Sequence, residues 1–316
     1  TAGGFLPLPK EQVVAALFIG VFISGMARSF TPPTVYSLLG QMFNRAETPG
    51  ALALNSSVFQ AATICGPALA GLVYGGYDAR GAWLMAALFM IFAFLISLFI
   101  RTPHRHGGEK RENMLQSIRA GFGFMLKTPV LLSVMALDMF AVLFGGAVAM
   151  LPVYADQILH VGAEGLGALR AAPALGAIVT AIVFSLKPMK HISAVRLLWA
   201  AAGFGLCMIG FGLSTIFWLS MIFLILSGLL DGISMLIRAT LMQLLTPDGM
   251  RGRISSINSM FIISSNEIGS FESGTAARLL GLVPSVVAGG AMTLLIVATT
   301  ALLSPKLRKT VVSAES

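Results

Sequence analysis

The chain has 316 residues, of which 56% are hydrophobic and 11% are charged, and its formal net charge is +8. Soluble domains carry roughly 25% charged residues, so a soluble chain of this composition would expose apolar surface and aggregate. The composition excludes an ordinary soluble protein and predicts that the lipid bilayer is the solvent. The positive charge does not indicate nucleic acid as a partner, because the basic residues lie between apolar blocks.

Apolar segments follow one another along the chain, most of them near the length of about 20 residues that crosses a hydrocarbon core of about 30 Å. We predict helices and exclude strands, because the segments are too long and lack period-two alternation. The nine segments are Gln12–Phe43, Ala51–Tyr74, Ala82–Ile100, Pro129–Val153, Leu166–Leu186, Val195–Leu213, Phe217–Leu245, Ile254–Leu280 and Pro284–Leu303.

Basic residues cluster at alternate ends of these segments, which predicts the orientation of the chain. One side holds Arg45, Arg101, Arg105, Lys110, Arg111, Arg119, Lys127, Lys187, Lys190, Arg196, Arg251, Arg253, Lys306, Arg308 and Lys309. The other side holds only Lys10, Arg80 and Arg278. Because cytoplasmic loops are enriched in Lys and Arg, the first side is predicted to be cytoplasmic, together with the C-terminus.

The inner connection after residue 100 is polar and basic at first and then amphipathic. It is the one candidate linker between two halves, so we predict domains at residues 1–100 and 129–316, joined by a cytoplasmic linker at residues 101–128. The second part of the linker, Met114–Lys127, is predicted to lie along the inner membrane surface as a helix.

An internal repeat appears when the chain is shifted against itself by 203 residues. Ser24-Gly25 then falls on Ser227-Gly228, and Asn55-Ser56 falls on Asn258-Ser259, without a gap. The repeat is parallel, which is typical of transporters built from two six-helix halves. The first half holds only three segments, so we expect about 90 further residues with three helices before Thr1.

The stretch "NSSVFQAATICGPALAGLVYG" resembles the fifth-helix antiporter motif of the major facilitator superfamily, whose core is Gly-Pro-x-x-Gly-Gly. Here the core is carried by Gly66, Pro67, Ala70 and Gly71, with Ala70 in place of a glycine. Small residues let two helices approach closely, and the proline bends the helix. Ordinary packing of small residues is the alternative explanation of this pattern.

Two longer stretches resemble the branch of this superfamily that contains the enterobactin exporter. They are "MALDMFAVLFGGAVAMLPVYADQILHVGAEGLGALRAAPALGA" and "SGLLDGISMLIRATLMQLLTPDGMRGRISSINSMFIISSNEIGSFESG". The resemblance implies an all-α integral membrane protein with two pseudo-symmetric six-helix halves. Nine of the twelve helices are present, namely helices four to six in residues 1–100 and helices seven to twelve in residues 129–316. It further implies export of small molecules such as siderophores, drugs or metabolites by proton antiport.

An N-terminally truncated membrane fragment that does not transport is the alternative function. The superfamily's signature loop between its second and third helices falls in the part of the fold that this chain lacks. An intramembrane enzyme is not favoured, because no His-Glu-x-x-His or Gly-x-Ser-x-Gly motif and no cluster of histidines is present. The expected partners are a small-molecule substrate and the bilayer of the bacterial inner membrane, and we expect a monomer with a proton gradient as its energy source and no cofactor or metal.

Several charged residues fall inside the predicted helices, where a charge costs roughly 2.5–3.5 kcal/mol on insertion scales. They are Arg28, Asp138, Arg170, Asp231, Arg238, Glu267 and Glu272. The 203-residue shift places Arg28 on Asp231. The resemblance places Arg28, Asp138, Asp231 and Arg238 on helices that line the central cavity, and it implies that Arg28 and Asp231 face each other there as a gate.

Proton coupling is predicted for Asp138, Asp231 and Glu267, because a carboxylate inside a membrane protein can bind and release a proton. Asp231 and Arg238 lie seven residues apart on one helix face, about 10.5 Å along the axis, so each is expected to need another partner. A structural ion pair between Glu267 and Arg238 is the alternative. Arg170 is expected near the outer end of its helix, outside the binding site.

Overall fold

The computed structural model describes residues 10–43, 48–100, 114–145, 147–187, 191–247, 250–309 and 311–313, and within these ranges helices dominate. The helices are α1 (Lys10–Met42), α2 (Thr48–Leu98), α3 (Met114–Lys127), α4 (Pro129–Gly145), α5 (Leu151–Gln157), α6 (Ala163–Leu186), α7 (Ala194–Leu213), α8 (Phe217–Leu245), α9 (Arg251–Leu280), α10 (Leu282–Leu303) and α11 (Pro305–Lys309). The chain divides into two compact units, residues 1–109 and residues 110–316.

The first unit contains α1 and α2. Two predicted segments are joined within α2, which departs from helical geometry at Asp78, with φ 58° and ψ −170°. The expected loop between the segments is therefore only a short break. Large apolar side chains such as Phe89 and Phe92 are exposed along the second part of α2, as expected of a surface that meets lipid.

The second unit is built around close contacts between helices that carry glycines. In the contact of α6 with α8, a Cβ atom on Gly176 would collide with the carbonyl oxygen of Ile225. A Cβ atom on Gly228 would collide with the carbonyl oxygen of Pro173. The backbones of the two helices therefore touch, which is typical of helix packing in membranes.

The predicted helix Pro129–Val153 is wrong in one respect, because it is not continuous. Helix α4 ends at Gly145, a 3₁₀ turn follows at Ala147–Met150, and α5 then begins at Leu151. Glycine is a poor helix former, and Pro152 near the start of α5 cannot donate a backbone hydrogen bond, so the sequence here favours a break.

The interior of the second unit consists of three apolar clusters. One cluster joins α4, α7 and α8 and includes Val134, Leu137, Ile237 and Leu241. Another joins α5, α6, α7, α8 and α10 around Tyr154. The third cluster joins α3, α4 and α9, so the predicted membrane-surface helix α3 also packs against the bundle.

A short antiparallel pair of strands lies outside the helices. Strand β1 (His191–Ser193) precedes α7, and strand β2 (Val311–Ser313) follows α11. The register pairs His191 with Ser313 and Ser193 with Val311. The C-terminal segment is thereby attached to the connection between α6 and α7, a pairing that the sequence did not predict.

By length and composition, six stretches within the described residues are long and apolar enough to cross a membrane. They are Arg80–Leu98, Pro129–Gln157, Ala163–Leu186, Ala194–Leu213, Phe217–Leu245 and Leu282–Leu303. The all-α class of the prediction is confirmed. The count of nine spanning helices is not confirmed, because α1, the first part of α2 and α9 are not among these six stretches.

Candidate functional site

A buried ion pair joins α4 to α8. The Nη1 atom of Arg238 on α8 donates a hydrogen bond to the Oδ1 atom of Asp138 on α4. Both residues are 7% exposed. Each charge thus has the partner that a buried charge requires, because an uncompensated charge at this depth would destabilise the fold.

Apolar side chains surround the ion pair on both helices. Leu137 precedes Asp138 along α4, and Ile237 precedes Arg238 along α8, and both belong to the buried cluster of α4, α7 and α8. Leu241 of the same cluster lies one turn further along α8. This apolar setting excludes water, and the attraction between the two charges is stronger there than it would be in water.

Asp231 lies on the same helix as Arg238 and differs from Asp138 in its setting. It is the middle residue of the 29 in α8, so it lies about 21 Å from either end of the helix. Part of the residue is accessible at the surface of α8, although its carboxyl group is surrounded by protein atoms. Asp231 lies seven residues before Arg238 on α8, about 10.5 Å along the helix axis, and among the described residues it has no direct ion-pair partner.

The two glutamates of α9 are not part of the ion pair between Asp138 and Arg238. Glu267 is exposed and Glu272 is half-buried. The alternative pairing of Glu267 with Arg238 is not formed, because Arg238 pairs with Asp138. Neighbouring polar side chains on α9 bond to the backbone of their own helix, as Asn266 donates through Nδ2 to the carbonyl oxygen of Ile262 at 2.8 Å.

The antiporter-like residues all lie in the first part of α2. Pro67 lies inside this helix and Gly71 is buried. Gly66 and Ala70 are exposed, and a Cβ atom added at Gly66 would meet no other atom within 4 Å. Close approach of a second helix is therefore not observed at Gly66.

The remaining predicted charges lie away from the ion pair. Arg28 is part of α1, but its side chain lies outside the described residues, so the predicted gate with Asp231 stays a prediction. Arg170 is exposed on α6. Within the ranges that the structure describes, no group of three His, Cys, Asp or Glu residues is arranged to hold a metal ion.

Sequence reasoning identified the three charged residues Asp138, Asp231 and Arg238 but missed the pairing of Asp138 with Arg238. The spacing of seven residues did indicate that Arg238 needs a partner other than Asp231. That partner comes from α4, which is distant in sequence, and only the packing of α4 against α8 identifies it. The arrangement provides two carboxylates and one guanidinium, a set that can hold or exchange a proton.

Comparison with known proteins agrees with the family resemblance of the sequence. Residues 1–270 match the family model of the Major Facilitator Superfamily. The chain is similar to proteins named enterobactin exporter EntS: it is 26% identical over 285 residues to the one from Shigella boydii serotype 18 and to the one from Citrobacter koseri, and 25% identical to the one from Escherichia coli O1:K1. Each match covers 90% of this chain and 67% of the relative.

Proposed function

Because the chain belongs to the major facilitator superfamily, we propose that it is a secondary active exporter that moves small molecules out of the cytoplasm in exchange for protons. Membership makes the chain a transporter and not an enzyme, and its apolar helices fit a multi-pass protein of the inner membrane. The observation that carries the proton antiport proposal is the buried Asp138–Arg238 ion pair, with Asp231 about two helical turns from Arg238 along α8.

Charged groups of this kind inside a membrane protein are costly and usually mark ion or substrate pathways. Coupling is assigned to Asp138, Asp231 and Glu267, with Arg28 and Arg238 as their cationic counterparts. The substrate is a siderophore, a drug or a metabolite. Enterobactin is the first compound to test, since it is the compound in the names of the similar exporters.

The architecture proposed for this function has two halves and alternating access. The predicted segments correspond to helices four to twelve of the superfamily fold, with residues 1–100 in the first half and residues 129–316 in the second. Residues 101–128 form the cytoplasmic linker, and the C-terminus is cytoplasmic. The monomer works in the lipid bilayer with a proton gradient as its energy source and without a bound cofactor.

Transport into inside-out membrane vesicles tests the proposal. With an acidic vesicle lumen, we expect enterobactin to accumulate, and a protonophore to abolish the accumulation. Asp231→Asn and Glu267→Gln are each expected to remove the dependence on the proton gradient. The matched control Asp156→Asn, at an exposed residue of α5, is expected to transport like the unaltered chain.

Two results would contradict the proposal in different ways. Accumulation that survives the protonophore would rule out proton antiport while leaving transport intact. Unaltered protein that accumulates none of the siderophores, drugs and metabolites tested would favour the alternative function, a membrane fragment that does not transport.

A further inference from the structure

A groove opens between the start of α4 and the end of α10. It has a volume of about 300 Å³, and residues of α4, α10 and α11 line it, among them Val130, Ser133, Leu303, Ser304 and Leu307. Two of the six stretches that are long enough to cross a membrane end here, because the stretch of α4 begins at Pro129 and that of α10 ends at Leu303. The groove therefore lies at the level where the hydrocarbon core of the bilayer meets the lipid headgroups.

The walls of the groove are held in place by the packing of the second unit. Leu307 is fully buried in the cluster of α4, α7 and α8, and Val130 packs against that cluster. Within the lining, Ser133 and Ser304 are hydrogen-bonded, with 2.7 Å between their hydroxyl oxygens. This bond uses one of the two hydroxyl protons, so the other can be donated to an ester or phosphate oxygen of a ligand.

Positively charged side chains flank the groove on two sides. Lys127, in the last turn of α3, precedes Pro129 by two residues, and Arg308 directly follows Leu307 in α11. Both side chains are exposed, and neither forms an ion pair within the part of the chain that the structure describes. Two such cations at the level of the headgroups favour an anionic ligand.

Acidic residues are absent from the sequence on both sides of the groove. No Asp or Glu occurs in Asn113–Leu137 or in Leu279–Ala314. The next acidic residue along α4 is Asp138, five residues beyond Ser133 and about 7.5 Å further along the helix axis. Its charge is compensated by Arg238. The charge that flanks the groove is therefore positive and is not offset by a neighbouring carboxylate.

The surface beside the groove is apolar. Leu302 and Leu303, at the end of α10, are 72% and 82% exposed, and Leu126, next to Lys127, is also exposed. Adjacent exposed apolar side chains of this kind mark a surface that contacts a membrane or another apolar partner. A free phosphate ion would use only the cations, whereas a phospholipid would use the cations and the leucines together.

We propose that this groove binds one anionic phospholipid. Lys127 and Arg308 attract its phosphate group, and the pair of serine hydroxyl groups donates a hydrogen bond to an ester or phosphate oxygen. The acyl chains lie along the exposed leucines at the end of α10. A cavity of about 300 Å³ is at the lower end of the range for ligand pockets, so it encloses the glycerol region and leaves the acyl chains in the bilayer. This site goes beyond the proposed export function and does not depend on it.

Quenching of tryptophan fluorescence by brominated lipids tests the proposal on the full chain in lipid nanodiscs. The three exposed tryptophans, Trp83, Trp199 and Trp218, are replaced by phenylalanine. Leu303→Trp then places a single fluorescent reporter in the lining of the groove. Brominated phosphatidylglycerol diluted into phosphatidylcholine is compared with brominated phosphatidylcholine diluted into phosphatidylglycerol, at the same mole fraction.

We expect brominated phosphatidylglycerol to quench the reporter beyond its mole fraction and brominated phosphatidylcholine to quench it less than its mole fraction. A basic residue near anionic lipid contributes about fivefold in affinity, so Lys127→Gln/Arg308→Gln should lower the preference by about 25-fold and abolish the excess quenching. The matched double variant Arg170→Gln/Arg278→Gln removes the same charge at two exposed positions on α6 and α9, which do not line the groove. It should keep the excess quenching.

Three outcomes would overturn the proposal. Equal quenching by the two brominated lipids would show only the ordinary lipid layer around the helices. Excess quenching that survives Lys127→Gln/Arg308→Gln would show that these cations do not select the lipid. Loss of the excess when inorganic phosphate replaces chloride at constant ionic strength would assign the groove to free phosphate.

The position of the reporter can be varied without changing the test. If Leu303→Trp does not give a stable protein, Leu302→Trp places the reporter at the neighbouring exposed residue. The measurement needs neither an exported substrate nor a proton gradient. A failure of transport in vesicles is therefore distinguishable from a failure of the groove to bind an anionic lipid.

Discussion

At the scale of single residues, the second unit depends on buried polar groups that have found partners. Tyr154 on α5 is fully buried, and its hydroxyl group donates a hydrogen bond to the carbonyl oxygen of Gly212. Its ring also packs against Phe211, with 4.7 Å between the ring centroids. This one side chain therefore attaches α5, the short helix beyond the break after α4, to the end of α7.

Removal of this hydroxyl group should destabilise the protein. Tyr154→Phe keeps the ring but leaves the Gly212 carbonyl without its buried donor, which costs about 1–3 kcal/mol. The free energy of unfolding, measured by detergent denaturation of the purified protein, should fall by that amount. Tyr77→Phe is the matched control, because Tyr77 is 76% exposed, and it should leave the free energy of unfolding unchanged. An equal loss in both variants would contradict this role for the Tyr154 hydroxyl group.

The charged residues show how far single positions can be predicted. A charge inside an apolar segment is visible in the sequence, and its cost marks it as important, so Asp138, Asp231 and Arg238 were identifiable. The sequence could not show which carboxylate binds Arg238. Asp138 and Arg238 are a hundred residues apart, and the contact between α4 and α8 depends on the packing of the entire bundle. The spacing of seven residues along α8 showed only that Asp231 is too far from Arg238 along the helix axis to be its partner.

At the scale of whole helices, glycine decides how closely the elements pack. Gly228→Ala would place a Cβ atom on the carbonyl group of Pro173, and a backbone atom cannot move aside as a flexible side chain can. Overpacking of this kind costs about 1–3 kcal/mol, which exceeds the gain of about 1 kcal/mol or less from replacing glycine with alanine in a helix.

A matched substitution separates the two contributions. In Gly123→Ala, on α3, the new Cβ atom would meet nothing within 4 Å, so only the favourable helix propensity remains. We expect a lower unfolding temperature for Gly228→Ala and an equal or higher one for Gly123→Ala, measured by thermal unfolding in the same detergent. A Gly228→Ala protein as stable as the unaltered one would show that α6 and α8 are not in backbone contact.

Helices were easier to predict than their interruptions. Length and apolar character identified every long helix from α4 to α10, because a chain in lipid must satisfy its backbone hydrogen bonds within each segment. The break after Gly145 was missed although Gly145-Gly146 and Pro152 signal it, since a rule based on segment length does not see a local change of backbone geometry. Helix α9 was also predicted, but its serines, asparagines and glutamates lower its apolar character, so it is not among the six stretches that are long and apolar enough to cross a membrane.

At the scale of the whole molecule, the alternation of basic ends predicts which surfaces face the cytoplasm. Tyr77, next to the break in α2, is expected outside the cell, and Lys127, at the end of α3, is expected inside. Both side chains are exposed. Cysteines introduced at these positions, in a background where Cys65 and Cys207 are replaced by alanine, can be labelled with a membrane-impermeant maleimide.

In intact cells, Tyr77→Cys should react with the maleimide and Lys127→Cys should not. After the membrane is permeabilised, both should react, which controls for the accessibility of each thiol. Labelling of Lys127→Cys in intact cells would reverse the predicted orientation. The repeat and the charge pattern carry this prediction because both depend on sequence alone, whereas helix packing adds nothing that distinguishes the two sides of a membrane.

The pairing of β1 with β2 has a practical consequence. Backbone hydrogen bonds of a strand pair fix the distance between its two segments, so Val311–Ser313 must move together with His191–Ser193. A fluorophore attached beside β2 would therefore report on the position of the α6–α7 connection, a part of the chain more than a hundred residues earlier. A bulky fusion placed directly at β2 would compete with this pairing, so a flexible spacer after the last strand residue is the better design.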